Sequence, residues 1–239
     1  MRHGRHISTI IPALNEERAI GRVIADIPSW VDDIIVADNG SSDATADAAR
    51  AAGARVVSEP QRGYGSACLA GLAALAETDI VVFVDGDYSD YPGEMAGLVD
   101  PIVAGDAVLV IGSRISGRHA RGALTPQQRF GNWLACRLMR QFYGSAFTDL
   151  GPFRAIDAAA LRDLSMTDRA YGWTVEMQIR ALQARLPVRE IPVSYRPRIG
   201  TSKISGTIKG SVLAGVTILS IIARSAQNGR SFKRTSVVK

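Results

Sequence analysis

Soft metal ligands are scarce in this chain. It carries only two cysteines, Cys68 and Cys136, and three histidines, His3, His6 and His119. Neither set falls at a metal-ligand spacing, which argues against zinc; the cysteines read as buried thiols in a reducing cytosol. Aromatic residues are few as well, 6% against 46% hydrophobic residues overall, a balance that suits a globular core rather than a disordered chain. No apolar signal-peptide core stands near Met1, which argues against secretion. The uncharged stretch Gly210–Ala223, between Lys209 and Arg224, is too short to cross a bilayer as a straight helix. Internal repeats and low-complexity linkers are absent too.

Negative charge is missing from two places. Ile191–Lys239 holds no Asp or Glu but nine Lys and Arg, and Ala107–Thr148 is free of acids while carrying Arg114, Arg118, Arg121, Arg129, Arg137 and Arg140. The net charge of +5 is therefore concentrated, and the remainder of the chain is mildly acidic. Such segregation points to an anionic partner: a phosphate ligand, a membrane surface or nucleic acid. Nucleic acid is not expected, because only Phe232 could stack a base beyond Tyr195.

What the chain has is strand–helix alternation. Strands are predicted over Ile7–Ile11, Ile34–Ala37, Arg55–Ser58, Ile80–Val84 and Ala107–Ile111, with helices over Glu17–Asp26, Asp43–Ala52, Gly65–Ala76 and Gly93–Val103. Near-continuous apolar strands between helices predict an α/β fold, a mostly parallel sheet covered on both faces. Further on, Thr125–Tyr143 and Trp173–Ala184 read as helices, Asp149–Ile156 as loop and short strand, and Val188–Tyr195 as a strand. Thr125 and Pro126 form an N-cap and first-turn pair. The catalytic domain is expected over residues 1–205, with halves at 1–112 and 113–205, followed by a basic helical extension over 206–239.

In parallel sheets ligands sit beyond the carboxyl ends of the strands. The polar motifs Asn15-Glu16, Asp38-Asn39-Gly40-Ser41 and Asp85-Gly86-Asp87 follow the first, second and fourth strands, which implies one shared cleft. An isolated Asp-x-Asp is ordinarily a solvated turn. Here it ends a buried strand, and hard oxygen donors of this kind suit Mg²⁺ or Mn²⁺ shared with a diphosphate. A calcium loop is a poor match: Asp90 stands where that loop needs Gly, and Ala96 where it needs Glu. Gly63-Tyr64-Gly65, leading into a helix, suits a phosphate or ribose rather than a dinucleotide, since it follows the third strand.

The ordered set Pro12-Ala13-Leu14-Asn15-Glu16, Asp38 to Asp43, Arg62-Gly63-Tyr64-Gly65, Asp85-Gly86-Asp87, Gly112-Ser113-Arg114, Asp149 to Arg154, Glu176 and Arg198 to Lys203 resembles family 2 glycosyltransferases. Within that family it is most similar to the dolichol-phosphate mannose synthase and polyprenyl-phosphate glycosyltransferase type. The resemblance implies a GT-A fold and inverting transfer from a UDP- or GDP-sugar to a polyprenyl monophosphate at the cytoplasmic membrane face. It places Pro12, Leu14, Asn15, Glu16, Asp38, Gly40, Ser41, Gly63, Gly65, Asp85, Gly86, Arg198, Ser202 and Lys203 at the donor. Asp85 and Asp87 would hold Mg²⁺ or Mn²⁺. Arg114, Arg129 and Asn132 would meet the acceptor, and Asp149, Arg114 and Arg129 would serve catalysis.

Two departures stand out. Ser89 occupies the place of a Gln that helps bind the metal, leaving the third ligand open, with Asp90 a candidate. Gly151-Pro152-Phe153-Arg154 replaces the usual Ser-Gly-Phe-Arg, which leaves the donor sugar open. The Thr125–Tyr143 helix and Gly210–Ala223 are expected to rest in the membrane interface or to pack on the core or in a homo-oligomer. A hydroxyl acceptor and a catalytically silent binding module are the competing expectations.

Overall fold

The computed structural model describes residues 1–120 and 122–200, with 215 and 219–222. Seven strands form one sheet: β1 (Ile7–Ala13), β2 (Asp33–Asp38), β3 (Arg55–Ser58), β4 (Ile80–Phe83), β5 (Leu109–Ser113), β6 (Arg154–Asp157) and β7 (Val188–Pro192). Their order is β3-β2-β1-β4-β6-β5-β7. All run parallel except β6, which lies antiparallel between β4 and β5. The α/β, mostly parallel expectation holds, and strands from both halves of the chain join one sheet.

Continuous apolar sequence dictates the central strands. All seven residues of β1 and all four of β4 are buried, because helices cover both faces. One face is packed by α1 (Ile20–Ala25), α2 (Thr45–Ala51) and α4 (Met95–Val103), through Ile20, Val23, Ala49, Met95 and Leu98. The other is packed by α3 (Tyr64–Ala73), α5 (Pro126–Tyr143), α6 (Ala158–Leu164) and α7 (Trp173–Gln183), through Cys68, Met139, Leu161 and Trp173. At Gly71 of α3 a Cβ would stand 2.6 Å from Ile10 Cγ2, so only glycine lets this helix lie so close to β1.

Three expectations are adjusted. The first helix begins at Ile20 rather than Glu17, because Glu16 O accepts from the N–H groups of Ala19 and Ile20 and turns the chain first. Residues 158–164, not anticipated as a helix, form α6, capped by Asp157 accepting from Ala160 N at 2.9 Å. The expected strand to Tyr195 stops at Pro192.

The α5 start is as expected: Thr125 and Gln128 make a reciprocal capping box with Pro126 in the first turn, and Gly144, at φ +67°, ends the helix. Its buried face is Ala135, Cys136 and Met139, whereas Phe130, Trp133 and Phe142 are exposed. No described helix is long and apolar enough to cross a membrane. Most of Gly210–Ala223 lies outside the described residues. Within it, Ile222 is buried in the second core, where its carbonyl accepts from the Tyr143 hydroxyl, so this part packs on the fold.

Candidate active site

The carboxyl ends of β1, β2 and β4 are neighbours in the sheet and open into one cavity of about 300 Å³. Pro12, Ala13, Leu14 and Glu16 line it from the β1 end, Asn39 from β2, Arg62, Gly63, Tyr64 and Ala67 from the start of α3, and Asp85, Gly86 and Asp87 from β4. Tyr171 and Arg198 close it from the second half of the chain. Asp85 and Asp87, two residues apart and so on the same side of an extended segment, both line the cavity, with Gly86 between them.

Other residues singled out from the sequence support this wall. Asn15, held at φ +53°, donates from its N–H to Ser41 Oγ at 2.9 Å, while its side-chain oxygen accepts from Ser42 N at 2.8 Å. Asp38 is buried at the tip of β2 and accepts from Ser41 N at 3.3 Å; Gly40, at φ +72°, makes the turn between them possible. Gly65 takes a different role from the cavity lining expected of it. A Cβ there would stand 2.0 Å from Asp168 O, because α3 begins pressed against the 168–170 segment. That segment is held in turn by Glu176, whose carboxylate accepts from Thr167 N, the Thr167 hydroxyl and Asp168 N.

The acids at the cavity are crowded. Burial and then the neighbouring Asp87 charge push Asp85 up to about 7, although Tyr64 donates to its Oδ1 at 3.1 Å and Arg198 and Arg114 oppose the shift. Burial, with the charges of Asp85 and Asp87, lifts Asp90 well above the usual carboxylate range. Asp90 Oδ2 accepts from Asp85 N, and its Oδ1 is buried without a hydrogen bond. Ser89 N and Oγ both donate to Asp87 Oδ1, at 2.9 and 2.5 Å. Ser89, which stands where the resemblance implies a metal-binding Gln, thus orients Asp87.

This donor set fits a divalent cation. Clustered, partly desolvated carboxylates with one orphaned oxygen hold unfavourable negative charge that a hard cation would relieve. Among the described residues no group of three or more His, Cys, Asp and Glu side chains is arranged to hold a metal by itself. Asp85 and Asp87 would therefore share the ion with the oxygens of a ligand.

Arg114 and Asp149 form a second cluster. Asp149 is fully buried; its Oδ2 accepts from Arg114 N and Nε, both at 2.8 Å, and its Oδ1 from Arg114 Nη2 at 2.7 Å. Glu190 accepts from Asp149 N and from Thr148, and Asn132 donates to Thr148 O while accepting from Leu150 N. Asn132 therefore fixes the 148–150 loop. Arg129 is exposed on α5, one turn before Trp133. Arg154 is fully buried and donates to the carbonyls of Leu150, Gly151 and Thr174, away from the cavity wall. Ser202 and Lys203 lie outside the described residues.

Sequence reasoning did not single out Asn39, Arg62, Tyr64, Ala67 or Tyr171 as site residues. Asn39 donates to Glu59 O and Gln61 O and accepts from Gly63 N, so it ties the β2 turn to the glycine loop. Its position beside Asp38 was the available signal. Nothing in the local sequence marks Tyr171.

Comparisons with known proteins bear out the family and the fold. The profile of glycosyl transferase family 2 matches residues 8–165. An uncharacterized glycosyltransferase of Mycobacterium tuberculosis is 37% identical over 223 residues, spanning 92% of this chain and 99% of that protein. The undecaprenyl-phosphate mannosyltransferase of Micrococcus luteus is 30% identical over 91% of this chain and 95% of its own. Among solved structures, glucosyl-3-phosphoglycerate synthase of Mycobacterium tuberculosis, in complex with Mn²⁺, uridine-diphosphate-glucose and phosphoglyceric acid, superposes with a TM-score of 0.76. It is 27% identical, over 94% of this chain and 80% of that one.

Proposed function

The chain belongs to glycosyl transferase family 2, with a GT-A fold, and from that membership we propose that it transfers a sugar from a nucleotide-diphosphate sugar to a polyprenyl monophosphate. The carrying observation is the cavity in which Asp85 and Asp87 face Glu16 and Arg198, with Arg114 close enough to bias the charge of Asp85. The relative from Micrococcus luteus named for undecaprenyl phosphate supports the acceptor class.

In this reading Pro12, Leu14 and Asn39 enclose the nucleoside, and the nearby Asp38 carboxylate suits a nucleobase N–H. Asp85 and Asp87 hold Mg²⁺ or Mn²⁺, which when bound supplies positive charge to the leaving diphosphate. Arg198 adds a forked cation beside it. Arg114, clamped by Asp149, presents a fixed guanidinium toward the acceptor's phosphate, which is already ionised near neutral pH and needs no strong base. Alignment of acceptor oxygen and anomeric carbon then carries inverting transfer. Arg129, with Arg137 and Arg140 on the exposed face of α5, suits an anionic membrane surface on the cytoplasmic side.

A radiolabelled UDP- or GDP-sugar incubated with undecaprenyl or dolichyl phosphate and Mg²⁺ or Mn²⁺ should yield a labelled, mild-acid-labile lipid. No such product under any pairing overturns the lipid acceptor. A hydroxyl acceptor is the second reading, favoured by the likeness to a synthase crystallised with phosphoglyceric acid. It requires a base, and both oxygens of Asp149 are engaged by Arg114. Asp149→Asn should therefore raise the KM for the acceptor while leaving turnover measurable. Loss of turnover by about a hundredfold or more with donor binding intact would favour the hydroxyl acceptor.

A further inference from the structure

Arg198 holds two acids that follow neighbouring strands of the sheet. Its Nη2 donates to Glu16 Oε1 at 2.8 Å, and its Nη1 stands 3.2 Å from Asp87 Oδ2. Glu16 follows β1 and Asp87 follows β4, so one guanidinium spans both. The backbone that carries it is pinned onto the 87–89 turn. Arg196 N donates to Ser89 O at 3.0 Å, Ile199 N donates to Asp87 O at 2.9 Å, and the Arg196 guanidinium stacks 3.3 Å from the Tyr88 ring centroid. The Arg198 Nε is buried without a hydrogen-bond partner. A pinned backbone, a half-satisfied head group and a long side chain make a part that can swing without moving its anchor.

We propose that Arg198 is an exchangeable counter-ion, which neutralises Asp87 and Glu16 in the donor-free protein and is displaced from Asp87 by the incoming cation. The proposal rests on the donor and metal reading given above. The guanidinium and a divalent cation compete for the Asp87 carboxylate, whose Oδ2 faces Arg198. A metal ion arriving alone must break the Arg198–Asp87 pair and leave the guanidinium with Glu16 as its one remaining acid. Arriving with a nucleoside diphosphate, it provides a new partner at once, since the freed guanidinium can turn to the diphosphate oxygens. The two ligands therefore bind with positive coupling, and Asp87 is shielded from adventitious cations until a donor is present. Reciprocity requires that the metal strengthen nucleotide binding by the same factor.

Mn²⁺ binding to the full chain, read by electron paramagnetic resonance alone and with UDP or GDP, tests this. Wild type should bind Mn²⁺ weakly alone and about 5- to 150-fold more tightly with the matching nucleotide, the range usual for coupled sites. Arg198→Gln should bind Mn²⁺ alone several-fold more tightly than wild type and show little further gain from nucleotide. Arg198→Lys, which keeps the charge but cannot fork to both acids, should fall between them and covers the case of a misfolded Gln variant. Unchanged or weaker Mn²⁺ binding by Arg198→Gln alone, with coupling intact in wild type, overturns the proposal. If wild type binds no Mn²⁺ with either nucleotide, the metal and donor reading itself fails, and this inference with it.

Discussion

Asp85 is costly to keep ionised. Its folded pKa, raised to about 7 by burial and Asp87, lies above the value near 3.8 expected of an exposed carboxylate. Between those values the folded protein holds a proton that the unfolded chain has released, so stability falls as pH rises through that window. Metal-free protein should therefore show a lower urea midpoint at pH 7.5 than at pH 5 from this source, with buried Asp90 acting in the same direction. Asp85→Asn should flatten the dependence and raise the midpoint at pH 7.5, while weakening binding of Mn²⁺ with nucleotide. Equal slopes for the two proteins would mean that Asp85 is ionised in the folded state throughout. Stability at this position is given up for a site that a bound cation would repay, as at many sites where perturbed carboxylates gather.

At the scale of elements, α5 shows both what its sequence disclosed and what it withheld. The Thr125-Pro126 start and the helical spacing are local features, so the helix was legible. Which apolar residues it buries was not, because the small Ala135 and Cys136 with Met139 face the core, and the larger Phe130 and Trp133 face outward. Phe130 and Trp133 pack against each other with ring centroids 5.9 Å apart, and Arg137 and Arg140 continue the exposed stripe. An amphipathic stripe of this composition suits the interface of an anionic bilayer. Phe130→Ser with Trp133→Ser should reduce co-sedimentation with phosphatidylglycerol vesicles by about tenfold or more, since each large apolar side chain is worth ~1.5–3 kcal/mol when fully buried. The thermal midpoint should stay almost unchanged, because both side chains are already exposed. Undiminished vesicle binding would remove α5 from the membrane surface. The short strand within Asp149–Ile156 was legible, but its antiparallel place between β4 and β5 depends on long-range pairing, and α6 was not read at all.

The whole molecule explains why half of the cavity was visible from sequence. β2, β1 and β4 are adjacent in the sheet, so motifs after those strands had to converge, and the expected shared cleft follows from that adjacency. Tyr171 and Arg198 reach the same cavity from beyond β6 and β7; the family resemblance placed Arg198 at the donor, whereas no local pattern marks Tyr171. A donor in the cavity therefore touches both halves of the chain and should stabilise them together. At a hundred times its Kd a ligand that binds only the folded state adds ~2.7 kcal/mol. For a chain of 239 residues this corresponds to a rise in Tm of about 5–10 °C. The full shift should require nucleotide sugar and Mn²⁺ together, and EDTA should reverse most of it. Asp87→Asn should lose the metal-dependent part while keeping whatever the nucleoside contacts contribute. A shift that is the same with EDTA as with Mn²⁺ would show that the nucleotide is held by the β1 and β2 ends alone, with the Asp85-Gly86-Asp87 turn uninvolved in donor binding.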